Sequence, residues 1–207
     1  MVKSTGATQK MSEEAREQTR DLIDTRSLSF GEREELIALG LLSTLGGIQP
    51  RHQVTPPEGY SSVEMSAIQA RNVLNEAYDY EKPSSFSRGL RLDLGSYRLL
   101  IISGTASVDE CGETAHIGDF RAQCWRTYRN ITNLLEAEGG SWKDVVRCTC
   151  YLRDIERDYE EFNKIRTAFF QWQELDPLPA SVGIQARLCR ENLLVEIEAL
   201  ALLKKTA

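Results

Sequence analysis

Leu193-Leu-Val-Glu-Ile-Glu-Ala-Leu-Ala-Leu-Leu203 is the stretch on which the fold turns. It reads as a strand, and in a strand alternate side chains share a face. Glu196 and Glu198 therefore point the same way, with Leu194 and Leu200 on either side. Carboxylates on so apolar a strand are costly to bury unless they find partners or take up a proton. Two readings follow. Either the pair meets arginines or backbone amides at an interface, or one member is a general acid/base whose pKa its surroundings raise.

Working back along the chain, Leu178-Pro-Ala180 introduces a strand running to about Ala186, and Val145-Val-Arg-Cys-Thr-Cys-Tyr-Leu152 reads as another. Between them Tyr159, Phe162, Ile165, Phe169 and Trp172 recur at helical spacing. Asp119 is placed to cap an earlier helix carrying Cys124, Tyr128, Ile131 and Leu135, which Gly139-Gly140 ends. Leu99-Leu-Ile-Ile-Ser103 is short enough for a buried strand. The order is strand or strands, helix, strand, helix, strand, strand: an α+β domain, a mixed sheet with two helices on one face. The uncovered face is rich in Leu, Ile and Val, which predicts packing against another subunit.

The pattern changes near Glu81-Lys-Pro-Ser-Ser85, giving an N-terminal helical extension over residues 1–83 and the sheet domain over 84–207. Residues 1–28 have few apolar anchors and are expected to form a mobile or weakly docked arm. Ser29-Phe-Gly-Glu32 has the form of a capping box opening a helix with Leu36, Ile37, Leu41 and Leu45, closed by Gly46-Gly47. Residues 48–60 read as loop, and Ser61-Ser-Val-Glu64 opens a second predicted helix to about Ala77, with Val63, Ala67, Ala70 and Leu74 on one face.

A net charge of −6 and a pI near 5.1 argue against nucleic acid, which calls for a clustered basic footprint. No apolar run reaches the roughly 20 residues that cross a bilayer, and no signal-type apolar segment follows Met1, so a cytoplasmic location is expected. The cysteines (Cys111, Cys124, Cys148, Cys150, Cys189) include no C-x-x-C pair, and with only His52 and His116 a metal site is not expected. Walker A, G-x-G-x-x-G and G-x-S-x-G are absent, so no cofactor is expected either. Cys148 and Cys150 read as buried small hydrophobes, and Cys189 beside Arg190 as an unremarkable turn thiol. The partner left by these exclusions is a small molecule.

Several stretches in order carry a resemblance: Phe86-Ser-Arg-Gly89, Ile102-Ser-Gly-Thr-Ala-Ser107, Gly118-Asp-Phe-Arg-Ala-Gln123, Asn163 with Ala168-Phe-Phe170, Leu178-Pro-Ala180 and Val195-Glu-Ile-Glu-Ala199. Residues 84–205 resemble the Rid (YjgF-type) family. The resemblance implies a chorismate-mutase-like fold, a homotrimer with ligand clefts between subunits, and hydrolysis of reactive enamines or imines. It also implies an arginine directly after the Pro-Ala of the penultimate strand, clamping the substrate carboxylate. Here that position is Ser181. A hydroxyl cannot stand in for a planar, charged, bidentate donor, and losing such a clamp costs roughly 2–4 kcal/mol. Arg88, Arg121 and Arg187 are candidates to reach in instead. Glu196 falls at the family's water-positioning glutamate and Asn163 at its pocket asparagine.

A narrower resemblance, carried by Ser103-Gly-Thr-Ala-Ser107, His116-Ile-Gly-Asp119 and Cys189 to Glu198, is to the chorismatase branch. It implies a glutamate on the last strand that protonates the methylene carbon of an enol ether. The chain departs from that branch in size, since only about 83 helix-patterned residues precede the sheet domain. Three readings stay open: a chorismatase-like enzyme on a small unsaturated carboxylate, an enamine/imine deaminase with a relocated arginine, and a non-catalytic metabolite-binding trimer. In the first, Glu196 is the acid, Asn163 and Ser103-Gly104 bond substrate oxygens, and Arg88 or Arg121 holds the carboxylate in a site that includes Ser181.

Overall fold

The computed structural model describes residues 28–38, 59, 63–71, 73–81 and 83–205. The chain falls into two compact units, Met1–Tyr60 and Ser61–Ala207. In the first, helix α1 (Phe30–Ala38) opens on the expected capping box. The Ser29 N–H donates to Glu32 Oε2 at 2.7 Å and the Glu32 N–H to Ser29 Oγ at 3.4 Å, so each satisfies an orphan of the other. Leu36 and Ile37 are half-covered. Leu41, Leu45, the Gly46-Gly47 stop and the expected mobile arm lie outside the described residues.

The second unit is built on six strands: β1 (Glu64–Ala67), β2 (Gly89–Leu94), β3 (Tyr97–Ala106), β4 (Val145–Leu152), β5 (Ala180–Gln185) and β6 (Val195–Lys204). Their order in the sheet is β1-β2-β3-β6-β4-β5. All neighbours are antiparallel except β4 and β5, which run parallel. A parallel pair needs a crossover, and helix α3 (Ile155–Trp172) supplies it. Helix α2 (Phe120–Glu136) joins β3 to the β4 side and starts where Asp119 accepts the Ala122 N–H. The chain thus has the predicted mixed sheet with two helices on one face.

The last strand alternates as its sequence requires. Val195, Ile197, Ala199 and Ala201 are buried, whereas Glu196, Glu198 and Leu200 are half-exposed and Leu202 is exposed. Beneath the helices Tyr128 stacks on Phe169 with ring centroids 4.4 Å apart, and Trp142 meets Phe169 edge-on at 5.1 Å. Tyr159 and Trp172, read with the same helical stripe, are exposed. Ile101, Val182, Ile184 and Leu202 are each more than a third exposed, leaving apolar residues on the sheet.

Residues 61–77 are where sequence and structure part. The spacing of Val63, Ala67, Ala70 and Leu74 predicts a helix, yet Glu64–Ala67 is edge strand β1, paired residue for residue with β2. Ala70 and Leu74 are buried all the same, reached by a single turn in which the Leu74 N–H bonds the Ala70 carbonyl at 3.0 Å. Ladder bonds to β2 outweigh a weak helical preference, and an irregular segment can satisfy a 3.6-residue pattern over so short a span.

Candidate functional site

Strands β3 and β6 place Glu196 opposite Ala106, and β4 places Tyr151 on its other side. The β3–β6 register shifts between Ile102 and Thr105, so Ser103 and Gly104 form a bulge beside the Glu196 carboxyl. The approach is close: a Cβ on Gly104 would stand 2.1 Å from Glu196 Oε1. Any larger residue would push the carboxyl out of that position. Burial pushes the Glu196 carboxyl above the usual carboxylate range, the negative Glu198 adds to this, and Arg88 opposes it. Ser103 spends its groups internally: its hydroxyl donates to the Ser87 carbonyl at 2.7 Å and its N–H to the Arg88 carbonyl at 3.1 Å.

Arg88, just before β2, is 5% exposed. Its Nε–H donates to the Asn75 carbonyl at 3.2 Å, and its guanidinium lies over the rings of Tyr80 and Phe86, 5.0 and 5.3 Å from their centroids. Desolvation lowers its pKa to about 10, opposed by Glu76 and Glu196 and assisted by Arg190. Arg88 and Glu196 thus feel each other's charge.

Asn163 and Ser181 meet elsewhere. Ser181, on the edge strand β5, pairs in register with Cys148 and lies 3.9 Å from the Cys150 thiol. Gly183, two residues on, faces Tyr159 of α3. Ser181 therefore points to the helix side of the sheet, the side opposite Glu196. Between Ser181 and Asn163 lies Arg166. Its Nη1 donates to Ser181 Oγ at 3.2 Å and its Nη2 to Asn163 Oδ1 at 2.6 Å, and its guanidinium sits over Phe162 at 5.4 Å. Those holders are all neutral, and among the described residues Arg166 has no carboxylate within ion-pair distance.

The expected site residues therefore form two groups, Glu196, Ser103, Gly104 and Arg88 on one, Asn163 and Ser181 on the other. Arg121 joins neither by any hydrogen bond and is paired with Glu161 at 2.6 Å on the helix surface. Arg166 was missed by sequence reasoning, although it stands three residues after Asn163 on a helix and must share its face. Glu198 lines a cavity of about 160 Å³ with Arg147 and Thr149. Among the described residues no cluster of His, Cys, Asp and Glu could hold a metal, and no helix is long and apolar enough to cross a membrane.

The sequence model described as Endoribonuclease L-PSP matches residues 81–203. A RutC family protein of Pyrococcus abyssi is 32% identical over 103 residues, spanning 49% of this chain and 76% of the relative. The 3-aminoacrylate deaminase RutC of Acinetobacter baylyi is 31% identical over 103 residues, spanning 50% of this chain and 78% of the relative. Among solved structures, the YjgF gene product of E. coli superposes with a TM-score of 0.53 at 26% identity, covering 66% of this chain and 97% of that one. Yeast Mmf1 has the same fold, with a TM-score of 0.55 at 16% identity over 68% of this chain and 100% of that one. Matched by that sequence model over more than half its length and superposing on the YjgF product, the chain belongs to the Endoribonuclease L-PSP family, the Rid/YjgF proteins.

Proposed function

We propose that this protein hydrolyses small enamines or imines that carry a carboxylate, in clefts between the subunits of a homotrimer, with Arg166 as the relocated clamp. The observation that carries the reading is the Arg166 guanidinium resting on Ser181, the position where the family resemblance calls for an arginine. The charge missing from β5 is returned by α3, one side chain away. The Acinetobacter relative supports the substrate class, since 3-aminoacrylate is itself an enamine carboxylate.

The two groups of site residues lie on opposite sides of one sheet, so a single substrate reaches both only where two copies meet. The apolar residues exposed on the sheet suit such a contact. In the cleft, Glu196 gives a proton to the enamine carbon, producing an iminium. Water adds to the neighbouring carbon, the one bonded to nitrogen, ammonia leaves, and an oxo acid remains. The adding water supplies one proton to the departing nitrogen and one back to Glu196. Burial raises the Glu196 pKa, so the carboxyl holds its proton to higher pH, as carbon protonation needs.

The chorismatase-like reading uses the same acid, so the close Gly104–Glu196 contact supports it equally. Substrate tests separate the two. With 2-aminoacrylate or imines generated in situ, the native protein is expected to speed ammonia release, and Glu196→Gln to abolish the gain while remaining folded. Arg166→Gln should lose roughly 30- to 1000-fold in kcat/KM, matching a lost charge-assisted clamp. Arg166→Ser combined with Ser181→Arg moves the charge to the strand and should restore much of it. Pyruvate released from chorismate, with no imine turned over, would instead establish enol-ether chemistry, and saturable binding without either product a sensing role.

A further inference from the structure

An open recess of about 1010 Å³ is lined by Asn75, Tyr80, Ser84, Thr114, Arg190 and Asn192. Arg88 adjoins it through the residues that hold it, Asn75 and Tyr80. Arg190 is fixed by a hydrogen bond from its Nη1 to the Gly112 carbonyl. Two guanidiniums are thus held near enough that Arg190 acts on Arg88 as a like charge. Among the described residues neither has a carboxylate within ion-pair distance. Among the described residues the buried Tyr80 hydroxyl has no hydrogen-bond partner.

The charges do not balance in the acid form of the site. When Glu196 holds its proton, the carboxylate left acting on Arg88 is buried Glu76, whose Oε2 accepts the Arg88 N–H at 3.1 Å. The other acids of the recess do not compensate: Asp79 is paired with Arg71 at 3.5 Å, and Glu81, Glu113 and Glu191 are exposed to solvent. Being exposed, those acids are screened by water and salt and act weakly at the fixed guanidiniums.

We propose that this recess receives a second carboxylate of the substrate, held by Arg190 with the buried charge of Arg88 behind it, so that the natural substrate is an unsaturated dicarboxylate such as the imine of an acidic amino acid. The inference rests on the imine-hydrolase reading, in which Arg166 of one copy takes the first carboxylate and Glu196 of another, whose charge acts on Arg88, is the acid. A guanidinium holds a carboxylate by paired, charge-assisted bonds, which gives direction as well as affinity.

Two measurements on the full chain test it separately from that reading. The first is calorimetric titration with the inert diacids succinate and glutarate against butyrate. The diacids are expected to bind at least about tenfold more tightly, and Arg190→Gln to remove the difference. Arg190→Lys, which keeps the charge, should retain part of it and so guards against a merely misfolded variant. The second is hydrolysis of imines generated from aspartate or glutamate compared with alanine or leucine, where a preference of similar size is expected. Imines hydrolysed without preference for acidic ones, together with diacids that bind no better than butyrate, would overturn the dicarboxylate inference and leave the hydrolase standing. Selective diacid binding with no imine turned over would overturn the hydrolase and leave only the diacid-binding recess.

Discussion

In the proposed mechanism Glu196 is the acid, and its surroundings suit it to that role. Its raised pKa comes first from burial and then from Glu198, with Arg88 pulling the other way. A general acid must be protonated to work, so kcat/KM should fall as pH rises through this pKa. Glu198→Gln removes the like charge and should move that alkaline limb to lower pH, whereas Arg88→Gln should move it higher. A pH–rate profile unmoved by both variants would detach Glu196 from the chemistry. The thiols separate just as sharply. Cys111 and Cys189 are exposed, while Cys124, Cys148 and Cys150 are buried, with burial pushing the Cys148 thiol up to about 12. A thiol reagent should therefore label two cysteines per native chain and five after unfolding.

At the scale of the element, the β3 bulge and helix α3 do the positioning. Gly104→Ala would drive a methyl group into the Glu196 carboxyl, since the added Cβ lies 2.1 Å from Oε1. Turnover should drop steeply while the thermal unfolding midpoint moves little, because the carboxyl can swing aside. Phe169→Ala is the opposite case. It removes a ring stacked on Tyr128 and edge-on to Trp142, and should cost about 3–5 kcal/mol in denaturant unfolding. Helix α3 links the two roles, since Phe162 and Phe169 fasten it to the core while Asn163 and Arg166, on its adjoining flank, look toward β5.

For the whole molecule, the question is whether the two half-sites combine between copies. Ile101→Arg places a charge on the apolar sheet face and should lower the sedimenting mass and the activity together. A mixing experiment is more direct. Glu196→Gln and Arg166→Gln chains, each inactive alone, should recover part of the native rate after subunit exchange, because some mixed clefts then carry both intact residues. No recovery from a verified mixed oligomer would show that each site belongs to one chain.

The sequence by itself determined the elements whose signals are local. The alternation around Glu196, the Asp119 cap, the capping box at Ser29 and the apolar stripes of α2 and α3 each follow from period and side-chain chemistry, and these suffice for the α+β class. Residues 61–77 were misread because their apolar spacing suits a helix, and only the free edge of β2 turns Glu64–Ala67 into a strand. The site was half legible for the same reason. Glu196 announces itself as a carboxylate among leucines. Arg166 looks like any surface arginine until β5 is laid in parallel beside β4 and brings Ser181 within 3.2 Å of it, fifteen residues away along the chain. Arg88 and Arg190 are farther apart still in sequence. Which charges end up facing one another depends on long-range strand pairing and loop closure, which no local pattern encodes.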